Sequence, residues 1–174
     1  MITQELLKKY FLYLDGELLR NFNSGGEKSG NCSGWINTVN ENKKYIRLSI
    51  CKKHIYLHQA IFIYHHGYLP KYIDHVNGNS LDNRIENLRE ANQSLNIANS
   101  ILSKANTSGY KGVVWRKDTN KWAAQITKNR KNYNLGSFEN IEDAANAYKI
   151  ASKNMFGEFA RPEASNRVID RGTQ

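Results

Sequence analysis

The chain has 174 residues, 40% of them hydrophobic and 24% charged, with only two prolines and a formal charge of +9. This composition suits one folded domain or two small ones, and the charge favours a polyanionic partner. No apolar run approaches the roughly 18 residues that a membrane span needs, and the charged start MITQELLKKYFLYL is not a secretory signal, so a cytoplasmic protein is expected.

In chain order, TQELLKKYFLYL predicts a short helix, and the glycine-rich NSGGEKSGNCSG a loop or hairpin tip. TVNENKKYIRLSICKKHIYLH predicts two strands with a turn at CKK, because Tyr45, Arg47 and Ser49 alternate with Ile46, Leu48 and Ile50. HQAIFIYHHGYLP predicts a helix of about nine residues, stopped by Gly67 with Pro70 beyond it. Cys32 and Cys51 lack a paired spacing, and in a reducing compartment packed thiols are expected rather than a disulfide. A zinc site from Cys51, His54 and His58 can be drawn, but it lacks a fourth ligand.

KYIDHVNGNSLDNRIENLREA predicts a short strand, an Asn-Gly turn and a second strand around residues 85–89. From about Asn92 the spacing becomes helical: Asn92, Asn96 and Asn99 share one face, beside an apolar face of Leu95, Ala98 and Leu102. SKANTSG, residues 103–109, reads as a linker. Three short strands follow, GYKGVVWR, KWAAQITKN and KNYNLGSF, separated by DTN and NRK turns. The amphipathic helix IEDAANAYKIASKNMFGEFA ends the series, with Ala144, Ala147, Tyr148, Ala151 and Met155 on one face.

Asp74 and His75 stand together, and seven asparagines fall between residues 77 and 99: Asn77, Asn79, Asn83, Asn87, Asn92, Asn96 and Asn99. Asparagine disfavours regular structure because its side chain competes for backbone hydrogen bonds, so such a density calls for a reason. Phosphodiester hydrolysis supplies one. A neutral imidazole can take a proton from water, and a hard cation on carboxylate and amide oxygens can stabilise phosphoryl charge. Adjacent strand residues point to opposite faces, so Asp74 and His75 serve one site only if the strand bends near Val76-Asn77-Gly78.

LHQAIF (57–62), IDHVNGNSLDNRIENLR (73–89) and the following Asn96 and Asn99 resemble the HNH nucleases, closest to the phage homing branch that opens with Asp-His and ends in Asn. The resemblance implies a ββα-metal fold, with Asp74 and Asn96 as metal ligands, His75 as general base, Asn87 orienting His75 and Asn83 bracing the loop. His58 stands where the family usually has a histidine, and a packed core role explains it equally well. Asn96, where other branches carry His, implies oxygen ligands and one Mg²⁺ or Mn²⁺ ion rather than zinc.

Residues 106–138 carry Lys111, Arg116, Lys117, Lys121, Lys128, Arg130 and Lys131 against only Asp118, a surplus of six in about a fifth of the chain. An ordinary solvated basic face is the bland explanation. However, YKGV, KWAAQI, LGSF and EDAANAY resemble the DNA-binding domain of the plant ethylene-response-factor (Apetala-type) proteins. That implies a three-stranded antiparallel sheet on one helix, with the sheet in the major groove. By position, Arg116, Trp122 and Gln125 would meet bases or phosphates, while Lys111, Lys117, Lys128, Arg130 and Lys131 would meet phosphates. Val114, Thr127, Asn132 and Asn134 stand where the plant domains have further Arg and Trp, so base preference does not carry over. Trp115, Tyr133 and Phe138 are expected in the core.

The expectation is therefore an α+β chain, with an HNH nuclease domain over residues 1–105 (motif core 57–102) and an Apetala-type domain over 106–170. It would cut or nick double-stranded DNA as a monomer or weak dimer in the host cytoplasm, with no membrane or protein partner implied. The rival expectations are a DNA-binding regulator with an inactive nuclease half, and a protein that binds or cuts RNA.

Overall fold

The computed structural model describes residues 2–21, 34–40, 43–50, 52–100, 102, 103 and 105–162. Both cysteines, most of the glycine-rich stretch and the far C-terminal end lie outside them. Small antiparallel sheets and short helices make an α+β chain, and no helix among the described residues is long and apolar enough to cross a membrane. It divides into two compact units, Met1–Asn92 and Gln93–Gln174, so the division falls before the motif's last helix rather than after it.

The first unit opens with α1 (Gln4–Tyr10), capped by the Thr3 hydroxyl, which accepts the Leu6 amide. The helix expected to run on through FLYL stops there. Phe11–Leu14 (β1) instead pairs with Glu17–Arg20 (β2) across a two-residue turn. Asp15 and Gly16 both have positive φ, the mirror-image turn whose twist matches a hairpin, and Asp-Gly is its strongest local signal. β3 (Trp35–Asn40), β4 (Lys43–Ile50) and β5 (Lys53–Tyr56) form one sheet in that order, one strand more than expected. α2 (Leu57–His66) follows and closes on Gly67 at φ 81°, as the sequence predicts. β6 (Ile73–His75) pairs with β7 (Leu88–Glu90), and a 3-10 turn at Ile85–Asn87 occupies part of the second expected strand.

Leu7, Phe11, Leu18, Leu48, Leu57 and Ile61 pack into one core with Leu88. Burying each such side chain contributes about 1.5–3 kcal/mol, which ties the N-terminal helix and hairpin firmly to the Asp-His segment. The hairpin also props the loop after β6: the Tyr13 hydroxyl accepts the Ile85 amide at 3.0 Å. A Cβ added to Gly16 would stand 2.8 Å from the Arg84 backbone nitrogen.

The second unit begins with α3 (Gln93–Asn99). β8 (Val113–Arg116), β9 (Lys121–Lys128) and β10 (Lys131–Phe138) form an antiparallel sheet with β9 in the centre, and α4 (Ile141–Phe156) covers one face, as expected. Ala98 and Leu95 of α3 pack with Ile126, Tyr133, Tyr148 and Phe156, while Val113, Ala124, Ile141 and Ala144 make the rest of the core.

Candidate active site and nucleic-acid interface

Asp74 and His75 are both buried, at 7% and 8% exposure, although they are neighbours in β6. Asp74 lies opposite Arg89 in the β6–β7 register, and the Arg89 Nε donates to its Oδ2 at 2.9 Å, with Nη2 at 2.8 Å. The His75 ring turns to Asn83, placing Nε2 3.3 Å from its Oδ1. An amide oxygen can only accept, so Nε2 carries the proton and Nδ1 is the basic nitrogen. Burial is the main influence on the His75 pKa and lowers it; Asn83, Asp74 and Asp82 push it part of the way back. The imidazole is thus neutral at physiological pH, and the Asp74 charge reaches it.

The expectation that Asn87 orients His75 and Asn83 braces the loop is corrected: the two side chains have exchanged those tasks. Asn87 Oδ1 accepts the Asn77 amide at 2.9 Å, and its Nδ2 donates to the Asp82 carbonyl at 2.7 Å and to Asn77 Oδ1 at 3.1 Å. Asn83 reaches the ring because its Nδ2 is held by the Leu81 carbonyl, which aims Oδ1 at His75. Other asparagines serve as local turns: Asn77 Oδ1 accepts the Asn79 amide, and Asn79 Oδ1 the Leu81 amide. Asp82 is gripped by Arg84 and by Asn77 Nδ2, and these bonds hold its carboxyl far below the usual carboxylate range, the Arg84 bond most of all. The four asparagines between residues 77 and 87 therefore form a loop brace with one member, Asn83, turned to the imidazole.

Behind His75 sits a cluster of rings that sequence reasoning assembled only in part. The His58 ring meets the His75 ring edge-on at 5.2 Å, stacks on Tyr56 and touches Tyr45. Desolvation, with His75 as a lesser cause, drives the His58 pKa down to about 3, and its Nδ1 is buried with no hydrogen-bond partner among the described residues. His58 is thus a neutral core imidazole, the packed role left open above. Tyr45 and Tyr56 lie on the face of β4 and β5 opposite to the buried Leu48, Ile50 and Ile55.

The buried Asp74 carboxylate is an oxygen donor of the kind that divalent cations take. Among the described residues no three His, Cys, Asp or Glu side chains gather as a cluster. Asn96 lies on α3, in the second unit, whereas Asp74, His75, Asn83 and Asn87 are brought together in the first.

The second unit sorts its expected DNA contacts into three groups. Arg116 and Lys117 at the β8–β9 turn, and Arg130 and Lys131 at the β9–β10 turn, are exposed, with Gln125 between them on the open sheet face. Lys111 and Lys128 are corrected: each caps a helix. Lys111 Nζ donates to the carbonyls of Ala98 and Ser100 at the end of α3, at 2.6 and 2.7 Å, and burial lowers its pKa to about 8. Lys128 Nζ donates to the Met155 carbonyl at 2.6 Å, at the end of α4. Trp122 is also corrected. Strand alternation turns it to the α4 side, where it packs against the core of Val113, Ala124 and Ile141, with Trp115 edge-on at 5.1 Å. Tyr133 and Phe138 join the core as expected, whereas Trp115 is 44% exposed. Thr127, Asn132, Asn134 and Ser137 complete the polar face.

Comparison with known proteins adds the following. A family model described as HNH endonuclease matches residues 55–96, and one described as AP2 domain matches residues 108–158. The chain is 36% identical over 112 residues to Protein 3.8 of Escherichia phage T7, covering 63% of this chain and 88% of that one. It is 34% identical over 110 residues to the Uncharacterized HNH endonuclease L560 of Acanthamoeba polyphaga mimivirus, covering 61% of this chain and 56% of the relative. No solved structure matches.

Proposed function

The chain belongs to the phage-type HNH endonucleases that carry a C-terminal AP2-like domain, and from that membership we propose that it hydrolyses phosphodiester bonds in duplex DNA at a recognised site. The observation that carries the reading is the buried, neutral His75, whose ring is held by Asn83 Oδ1 at 3.3 Å from Nε2 and so is oriented for work as a general base. His75 takes a proton from water at Nδ1. The resulting hydroxide attacks phosphorus, the bond to the 3′ oxygen breaks, that oxygen takes a proton from solvent, and the products are a 5′-phosphate and a 3′-hydroxyl. Asp74 would be a ligand of one Mg²⁺ or Mn²⁺ ion, and that ion, when bound, supplies Lewis-acid stabilisation of the phosphoryl and departing oxygens. Arg116, Lys117, Arg130 and Lys131 supply phosphate contacts that set register and affinity. One such site per chain makes the protein a nicking enzyme of the homing type as a monomer, acting in the infected host cell; double-strand cutting requires a dimer or a second event.

A single observation favours the rival reading, a DNA-binding protein that does not cut: the buried ion pair between Arg89 and Asp74 occupies one oxygen of the carboxylate. A supercoiled plasmid carrying a sequence that the protein itself selects from random duplexes separates the two. Wild type in Mg²⁺ relaxes it and EDTA stops the reaction. His75→Ala binds the plasmid equally well and leaves it supercoiled, a loss of about 10²-fold or more. Intact plasmid with the wild-type protein would decide for the regulator.

A further inference from the structure

The open face of the β8–β9–β10 sheet carries amides and hydroxyls where a DNA-reading surface of this kind would be expected to carry cations, and their hydrogen bonds are directional. Gln125 lies opposite Asn134 and Thr127 opposite Asn132 in the β9–β10 register. The Thr127 hydroxyl donates to Asn132 Oδ1 at 3.4 Å, and Asn132 Nδ2 donates to Gln125 Oε1 at 3.1 Å. This chain fixes which end of the Gln125 amide faces Asn132. Oε1 keeps a second lone pair, and Nε2 makes no hydrogen bond among the described residues. A donor and an acceptor therefore stand side by side at the exposed end of a side chain whose rotation is already restricted.

We infer that Gln125, positioned by Asn132 and Thr127, reads adenine in the major groove of the bound DNA. The inference rests on the DNA-binding reading above and deepens it. Adenine's major-groove edge offers N7 as acceptor beside the N6 amino donor, the complement of Nε2 and Oε1. Guanine offers two acceptors, which sets O6 against Oε1. Cytosine offers only a donor and thymine only an acceptor and a methyl group. Asn134 is oriented by its own strand rather than by a neighbouring side chain, its Oδ1 accepting the Gly136 amide at 3.0 Å at the irregularity in β10. Arg116 on the neighbouring strand can meet guanine or phosphate, so the adenine preference should attach to one position rather than to the whole site.

The test uses the full chain in EDTA, which stops cleavage from depleting the library, and selects from random duplex DNA. The expected result is a motif with an adenine at which 7-deazaadenine, lacking the N7 acceptor, weakens wild-type binding about tenfold or more. The same replacement leaves Gln125→Ala and Gln125→Glu unaffected, the second variant keeping the side chain's shape while losing its donor. Asn132→Ala retains affinity for unselected DNA while losing part of the discrimination, and Gln125→Arg moves the preference at that position to guanine. If a selected duplex binds and Gln125→Ala keeps the full base preference, the inference is overturned and DNA binding stands. If the chain binds no duplex at all, the proposed function falls and the inference with it. Melting curves of each variant confirm that the sheet has folded.

Discussion

Asparagine does opposite work in the two units. In the loop between β6 and β7 the amides of Asn77, Asn79 and Asn87 spend their hydrogen bonds on neighbouring backbone and side chains, and Asn83 alone turns its oxygen to a ring. On the sheet of the second unit, Asn132 spends its bonds on Thr127 and Gln125, and what it holds in place still faces solvent. The first arrangement makes a rigid, desolvated base. The second makes a surface that is oriented yet unsatisfied until a partner arrives. Rigidity at the one and unmet valence at the other are what hydrolysis and readout respectively need.

Five experiments sharpen that contrast. The largest effect is expected from Asn83→Ala, which releases the imidazole and lowers kcat about 10- to 100-fold with DNA affinity unchanged. On saturating DNA, Gln125→Ala should do the reverse, keeping kcat and losing site preference. Gly16→Ala comes next. It forces an alanine into φ 87° with its Cβ against the Arg84 backbone, and urea unfolding should show a loss of about 2 kcal/mol.

Below pH 6.5 the first unit carries a pH dependence of stability. Between pH 6.5 and about 3 the unfolded chain binds a proton at residue 58 that the folded chain excludes, so stability falls as pH falls through that window. Each such proton contributes a slope of about 1.4 kcal/mol per pH unit. The lowered His75 pKa acts in the same sense. Equilibrium unfolding of His58→Phe across the window should show a shallower slope than wild type. An equal slope would place the buried charge penalty elsewhere.

The smallest effect distinguishes cations on the sheet edges from cations on helix ends. Arg130→Ala and Lys131→Ala should each reduce the slope of log affinity against log salt by about 1. Lys111→Met and Lys128→Met should leave that slope alone and lower the melting temperature, because those ammonium groups already bind helix-terminal carbonyls.

Periodicity and turn chemistry determined much of the architecture from sequence alone. The three strands and helix after residue 110, the glycine-stopped α2 and the Asp-His pair before an Asn-Gly turn all follow from short-range rules, which need only neighbours in the chain. The Asp15-Gly16 hairpin is equally local, but the apolar run on both sides of it suits a helix as well. Which asparagine meets His75, and which lysines face DNA, needed the tertiary structure. Asn83 and Asn87 are the same residue four positions apart in a loop without periodicity, and only the Leu81 carbonyl and the Asn77 amide separate their tasks. Lys128 and Lys131 carry the same charge three residues apart across a tight turn, and only the nearness of the end of α4 commits one of them to a backbone oxygen. Charge and residue type are properties of sequence; the direction in which a side chain spends its hydrogen bonds is decided by what the fold brings beside it.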